Sequence, residues 1–165
     1  MLRHALWTLF VPSQTSSASL VYMDLYNGSD RDITVTSFVA IKDVAVAVTG
    51  LVSARLLLTR TTAVGTGGTA ATSEGTDIAA PAITRLQSNP LPTGISARLT
   101  PTGGGTAGAI ISERHVMPEE LGNSANMEPL EFLSSPLVVP EGTGLRIVQG
   151  TVASVGKIGF GVNFY

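Results

Sequence analysis

Ser135–Tyr165, SPLVVPEGTGLRIVQGTVASVGKIGFGVNFY, reads as two or three β-strands with their turns written between them. Leu137, Val138 and Val139 lead into Pro140-Glu141-Gly142-Thr143-Gly144, and Leu145-Arg146-Ile147-Val148 leaves it. Proline presets φ and glycine accepts a positive φ without a Cβ clash, so the segment between the two apolar runs is a turn. A second break falls at Ala153-Ser154-Val155-Gly156. The final strand alternates: Ile158, Phe160, Val162 and Phe164 on one face, Lys157, Gly159, Gly161, Asn163 and Tyr165 on the other. A period of two belongs to a half-buried strand and not to a helix.

Working outward, the same signal recurs. Leu20–Tyr26 places Val21, Met23 and Leu25 on one face, and Ile33–Ile41 repeats the alternation after Asn27-Gly28-Ser29-Asp30, which predicts a tight hairpin turn. Val44, Val46 and Val48 mark a further strand, ended by Gly50, and Leu51–Thr61 another. Residues 61–77 carry no period and read as a long Gly/Thr/Ala loop, 78–86 is ambiguous around Pro81, Ile95–Leu99 is a short strand, 101–108 is a second glycine loop, and 109–116 is a strand. The segment 117–133 holds the one place for a short helical turn or two, because Pro118-Glu119-Glu120 suits a helix start. The expected fold is all-β: about eight to ten short strands in an antiparallel sandwich. Long excursions between strands favour a jelly roll over a meander.

The expected division is an N-terminal arm over 1–18 and one sandwich domain over 19–165. Trp7, Leu9 and Phe10 are the arm's apolar anchors and the candidate protein-interface residues, and Pro12 with the Ser and Thr residues after it ends the arm. Whether the arm is helical or extended stays open, since Leu2, Leu6, Leu9 and Phe10 also fit one helical face. The same stretch has a loose likeness to a secretory signal, with Arg3 before a short apolar run that Thr8 interrupts.

Composition narrows the function classes. A chain of 165 residues forms one domain that buries roughly 70% of its unfolded surface. It contains no Cys, which removes disulfides and thiolate metal sites. Ten Lys and Arg are scattered singly against twelve Asp and Glu, for a net charge of −2, so no basic patch suggests nucleic acid. No apolar run reaches the roughly 18 residues of a spanning helix, so no membrane is expected as a partner. Only 13% of residues are charged while 44% are apolar, a surface suited to burial against other proteins.

Catalytic and cofactor motifs do not assemble. Gly103–Gly108 matches G-x-G-x-x-G in spacing, but Pro101-Thr102 precedes it and a Gly/Thr-rich segment surrounds it, where a dinucleotide site needs a strand before and a helix after. Gly65-Thr66-Gly67-Gly68 lacks the lysine of a phosphate loop. His115 has only His4 as a second imidazole, and sharing a strand face with Glu113 it reads as a contact residue, not a zinc ligand. Asp24, Asp30 and Asp32 do not have calcium-loop spacing. Asn27-Gly28-Ser29 is a glycosylation sequon that the turn explains equally well. No catalytic residue, cofactor or metal is expected, and the chain reads as a non-enzyme.

The chain from Arg85 onward resembles a family of tailed-bacteriophage virion proteins. The residues that carry the likeness are Gly94–Gly104 (GISARLTPTGG), Pro129–Leu133 (PLEFL) and Pro136–Gln149 (PLVVPEGTGLRIVQ), then Ala153-Ser154 and Gly159-Phe160, with Thr59–Ala63 and Gly67–Thr69 upstream. The resemblance as a whole extends over about two thirds of the chain and is weakest over the first 50 residues. These turn-and-strand patterns are more specific for fold than for role. The resemblance implies a small jelly-roll structural protein of the virion, a capsid decoration or cement protein on the outer shell surface. Its implied partners are the major capsid protein and copies of itself, as a homotrimer. The alternative is a tail- or vertex-associated sandwich that recognises a host surface or carbohydrate, for which Tyr22, Tyr26 and Tyr165 would have to cluster.

Overall fold

The computed structural model describes residues 7–43, 54–75, 79–85, 90–103, 108–116, 130–131, 137–151 and 156–165. Among them are thirteen strands and no helix: β1 (Trp7–Thr15), β2 (Val21–Asn27), β3 (Ile33–Asp43), β4 (Ala54–Thr61), β5 (Thr69–Ala70), β6 (Thr72–Ser73), β7 (Ala82–Arg85), β8 (Ile95–Leu99), β9 (Ile110–Val116), β10 (Leu130–Glu131), β11 (Leu137–Val139), β12 (Thr143–Gln149) and β13 (Lys157–Phe164). The first sheet runs β10-β3-β13-β1-β7-β6, with β11 also on β3, and the second runs β5-β8-β2-β12-β4-β9. Every pairing is antiparallel except β6 with β7.

Without β5 to β8, the first sheet reduces to β1-β13-β3 with β10 and β11, and the second to β2-β12-β4-β9. The chain changes sheet at each step from β1 through β4, and again from β11 through β13. This winding is a jelly roll. The segment from β5 to β8 is inserted between β4 and β9 and widens both sheets at the same side of the sandwich. It crosses from β5 in one sheet to β6 in the other through Ala71 alone.

The core follows from the alternation. On β13, Ile158, Phe160, Val162 and Phe164 are buried as the period predicts, and Trp7, Leu9 and Val11 of β1 lie beside them. Tyr22, Met23 and Leu25 of β2, Leu145 and Ile147 of β12, and Ala54, Leu56 and Leu58 of β4 close the core from the second sheet. Phe160 is its aromatic centre, stacked with Phe38 at 5.5 Å and meeting Tyr22 edge-on at 5.2 Å. Each such large apolar side chain contributes about 1.5–3 kcal/mol by leaving water. A void of about 10 Å³ between Met23, Leu58, Leu145 and Val162 is apolar and too small for a ligand.

Four expectations are corrected. Residues 7–15 are not an arm: β1 is an interior strand, paired with β13 on one side and β7 on the other, and it is extended. Pro12, which has no N–H to give, sits where the β1–β13 register slips between Val11 and Gln14, and beyond the β7 pairing. Second, Asn27–Asp30 is not a hairpin turn, because β2 and β3 lie in different sheets. Third, the 61–77 loop contains β5 and β6, and the ambiguous 78–86 segment contributes β7. Fourth, Tyr22 is the extra residue where the β2–β12 register slips, which turns it into the core with Met23 and leaves Val21 half-buried. The Val44–Val48 strand, the first residues of the predicted 51–61 strand and most of the 117–133 segment lie outside the described residues, as do residues 1–6. The Pro140 turn is as expected: Thr143 N–H donates to Pro140 O at 3.2 Å, and Gly142 takes the positive φ of 71°.

Candidate functional site

The three candidate interface residues separate. Trp7 is 5% exposed and stacked on Phe164 at 5.8 Å, and Leu9 is fully buried, so both are core residues unavailable to a partner. Phe10 points the other way and is 39% exposed. This follows from the strand period, since neighbours along β1 face opposite sides.

Phe10 belongs to the outer face of the first sheet. Its cross-strand neighbours there are Gly161 on β13 and, one strand further, Val39 on β3. The adjacent row runs Thr84, Thr8, Asn163, Ser37 across β7, β1, β13 and β3. The polar groups of this row satisfy one another: Thr8 Oγ1 donates to Asn163 Oδ1 at 2.6 Å, and Asn163 Nδ2 donates to Ser37 Oγ at 2.8 Å. A Cβ built on Gly161 meets nothing within 4 Å, so the surface has a notch beside the Phe10 ring. The named positions on β1, β13 and β3 are uncharged, while Glu131 on β10 is the next partner of Ser37 and the exposed Lys157 lies further along the same face of β13. Phe10 was found in the sequence and its neighbours were missed, although Gly161 and Asn163 are the second face of the final alternating strand.

The outer face of the second sheet is built differently. Asp24 on β2 and Thr59 on β4 are the two cross-strand neighbours of Arg146 on β12, and all three side chains are buried. Arg146 Nη2 lies 3.8 Å from Asp24 Oδ2. Asp24 also accepts hydrogen bonds from the N–H groups of Gly65 and Arg98, while its Oδ2 has no hydrogen-bond partner. Burial pushes the Asp24 carboxyl above the ordinary carboxylate range, and Arg146 is the largest opposing influence.

The cover is made by the two glycine loops. Gly65 crosses directly over Asp24, where any Cβ would collide with the carboxylate. Thr66 N–H donates to Gly103 O at 2.8 Å, and the N–H groups of Thr102 and Gly103 donate back to Thr66 O at 3.0 and 3.1 Å. Arg98 Nη1 holds Gly67 O at 3.0 Å. These loop amides are donated within the protein and are not presented to a phosphate. The glycine motif leads into strand β9, not the helix a dinucleotide site requires, and its residues 104–107 lie outside the described ones.

The remaining candidates resolve into structural contacts. Glu113 is gripped by Arg55, Nε to Oε1 at 2.6 Å and Nη2 to Oε2 at 2.7 Å, on the surface of the second sheet. Asp32 Oδ1 accepts the N–H of Glu141 at 3.3 Å. Among the described residues no cluster of three His, Asp or Glu could hold a metal. Asn27 is wholly buried: its Nδ2 donates to Arg31 O and Val139 O, and its Oδ1 accepts from Ser29 N–H and Oγ. The sequon asparagine is thus a tie between β2 and β11. Tyr22 is buried with its hydroxyl on Gln149 Oε1 at 2.9 Å, which separates it from Tyr26 and Tyr165, both partly exposed. Comparison with family models, with curated proteins and with solved structures finds no match to this chain.

Proposed function

We propose that this chain is a structural protein of a phage particle, a capsid decoration or cement protein on the outer shell surface. It stabilises the shell through repeated contacts with the major shell subunit and with copies of itself. The observation that carries this reading is the outer face of the first sheet, where Thr8, Phe10, Gly161, Asn163, Ser37 and Val39 form an uncharged patch across three strands of the jelly roll. A protein repeated over an icosahedral shell needs such broad contact surfaces more than it needs a cleft. The family resemblance described from Gly94 onward supports the same reading. The sugar-binding alternative needs clustered aromatics, and Tyr22 is in the core.

The test is to add purified protein to shells that lack it and image the particles. Repeated copies over the whole shell, with a higher disruption temperature, are the expected result. Density at a single vertex, or none, overturns the cement role and favours the tail- or vertex-associated module.

A further inference from the structure

We propose that Asn27 is a deamidation site which the fold holds closed, so that its conversion to aspartate or isoaspartate takes place in opened chains and then hinders them from closing again. Gly28 follows this asparagine, and a glycine amide is unhindered as a nucleophile because no side chain stands beside it. In the reaction the Gly28 nitrogen gives up its proton and bonds to Cγ of Asn27, while the Cγ–Nδ2 bond breaks and ammonia leaves. Water then opens the succinimide that has formed. Opening at Cγ leaves aspartate. Opening at the α-carbonyl leaves isoaspartate, with one extra methylene in the main chain.

The folded chain blocks each requirement of that chemistry. The nucleophile is engaged, since Gly28 N–H donates to Gly94 O at 3.0 Å. The electrophile is fixed: Asn27 Nδ2 donates to Arg31 O at 2.8 Å and Val139 O at 2.9 Å, and Oδ1 accepts from Ser29 N–H at 3.1 Å and Ser29 Oγ at 2.6 Å. Asn27 is also 0% exposed, which keeps water away from Cγ. The fold needs both members of the labile pair. Asn27 ties β2 to β11, and a Cβ on Gly28 would stand 2.8 Å from Gly94 O. The products undo the tie. Aspartate at this position has no Nδ2 hydrogens to donate, and it turns a carboxylate oxygen toward two buried carbonyl oxygens. Isoaspartate further displaces the main chain where it pairs with Thr143 on β12 and Ile95 on β8, and where Asn27 O accepts the N–H of Gly142 at 2.8 Å.

The proposal does not rest on the capsid reading, because it is measured on the purified chain alone. The chain is aged in mildly alkaline buffer, folded in one sample and unfolded in urea in the other. Aspartate and isoaspartate at position 27 are then counted by peptide mass spectrometry. The folded sample is expected to react at least about a hundredfold more slowly, because reaction waits for local opening. Ser29→Ala removes one of the bonds that fix Asn27 Oδ1, so its folded rate rises about fivefold while its rate in urea stays that of the wild type. Chain aged in urea and returned to buffer recovers its near-ultraviolet circular dichroism less completely than fresh chain, and Asn27→Asp unfolds at a lower urea concentration than wild type. Equal rates in the folded and unfolded samples, a Ser29→Ala rate no faster than wild type, or an Asn27→Asp variant as stable as wild type overturns the proposal.

Discussion

The two outer faces of the sandwich start from the same strand alternation and end in opposite states. On the second sheet the outward positions Asp24, Arg146 and Thr59 are 2%, 5% and 3% exposed, and Gly65 of the first glycine loop crosses directly over Asp24. On the first sheet the outward position Phe10 remains 39% exposed beside the bare Gly161. Asp24 and Arg146 are under cover, and an aromatic ring is left on the surface. A sheet face acquires its role from what the connecting loops do above it. The loops here shield an ion pair that costs energy to bury and leave the patch around Phe10 and Gly161 open.

The most damaging way to break this contrast is to remove the strand that carries the open face. Deleting residues 1–12 takes Trp7, Leu9 and Val11 out of the core along with Phe10. The expected result is loss of any cooperative thermal transition, whereas a true arm would leave the domain folded.

Next comes the covered face. Arg146→Met strands Asp24 as a buried anion and should cost about 3–5 kcal/mol by urea denaturation. Adding Asp24→Leu to it removes the second charge and should recover that loss or exceed it. A double variant as unstable as the single one would show that the pair holds the loops down and is not a tolerated cost.

A smaller effect follows from the raised Asp24 carboxyl. A group whose folded pKa lies above its unfolded one binds protons more tightly when folded. Its contribution is fully present below the ordinary carboxylate range and is lost as pH rises through the raised value. Wild type should therefore lose stability relative to Asp24→Asn as pH climbs through that window. A difference that grows in the opposite direction would mean Arg146 outweighs desolvation. The smallest effect belongs to the open face: Gly161→Val should change stability by no more than about 0.5 kcal/mol, because nothing lies above it.

Much of this was legible in advance. The alternation of Ile158, Phe160, Val162 and Phe164 identified both a strand and its buried side, and the Pro140–Gly142 turn carried its own chemistry. β1 carried the same signal in Trp7, Leu9 and Val11, but its position at the start of the chain and an apolar Phe10 that breaks the alternation made it read as an arm. Asn27-Gly28 shows the limit of local turn chemistry. The pair signals a reversal, yet the asparagine's hydrogen bonds reach Val139, 112 residues away, and the chain changes sheets there. β5, β6 and β7 were illegible because strands of two to four residues are too short to display a period.

Of the candidate interface residues, only Phe10 faces outward, and nothing local distinguishes its surroundings from those of Asp24. By itself, the sequence determined the all-β class, the buried side of most strands and the absence of cysteine chemistry, because side-chain period and residue type are local properties. The tertiary structure alone decided that Asp24 lies under Gly65 with Arg146 buried beside it, while Phe10 and Gly161 lie open. Which loop crosses which face depends on contacts between residues far apart in the chain, such as Thr66 with Gly103 and Gly65 over Asp24, and no local pattern encodes them.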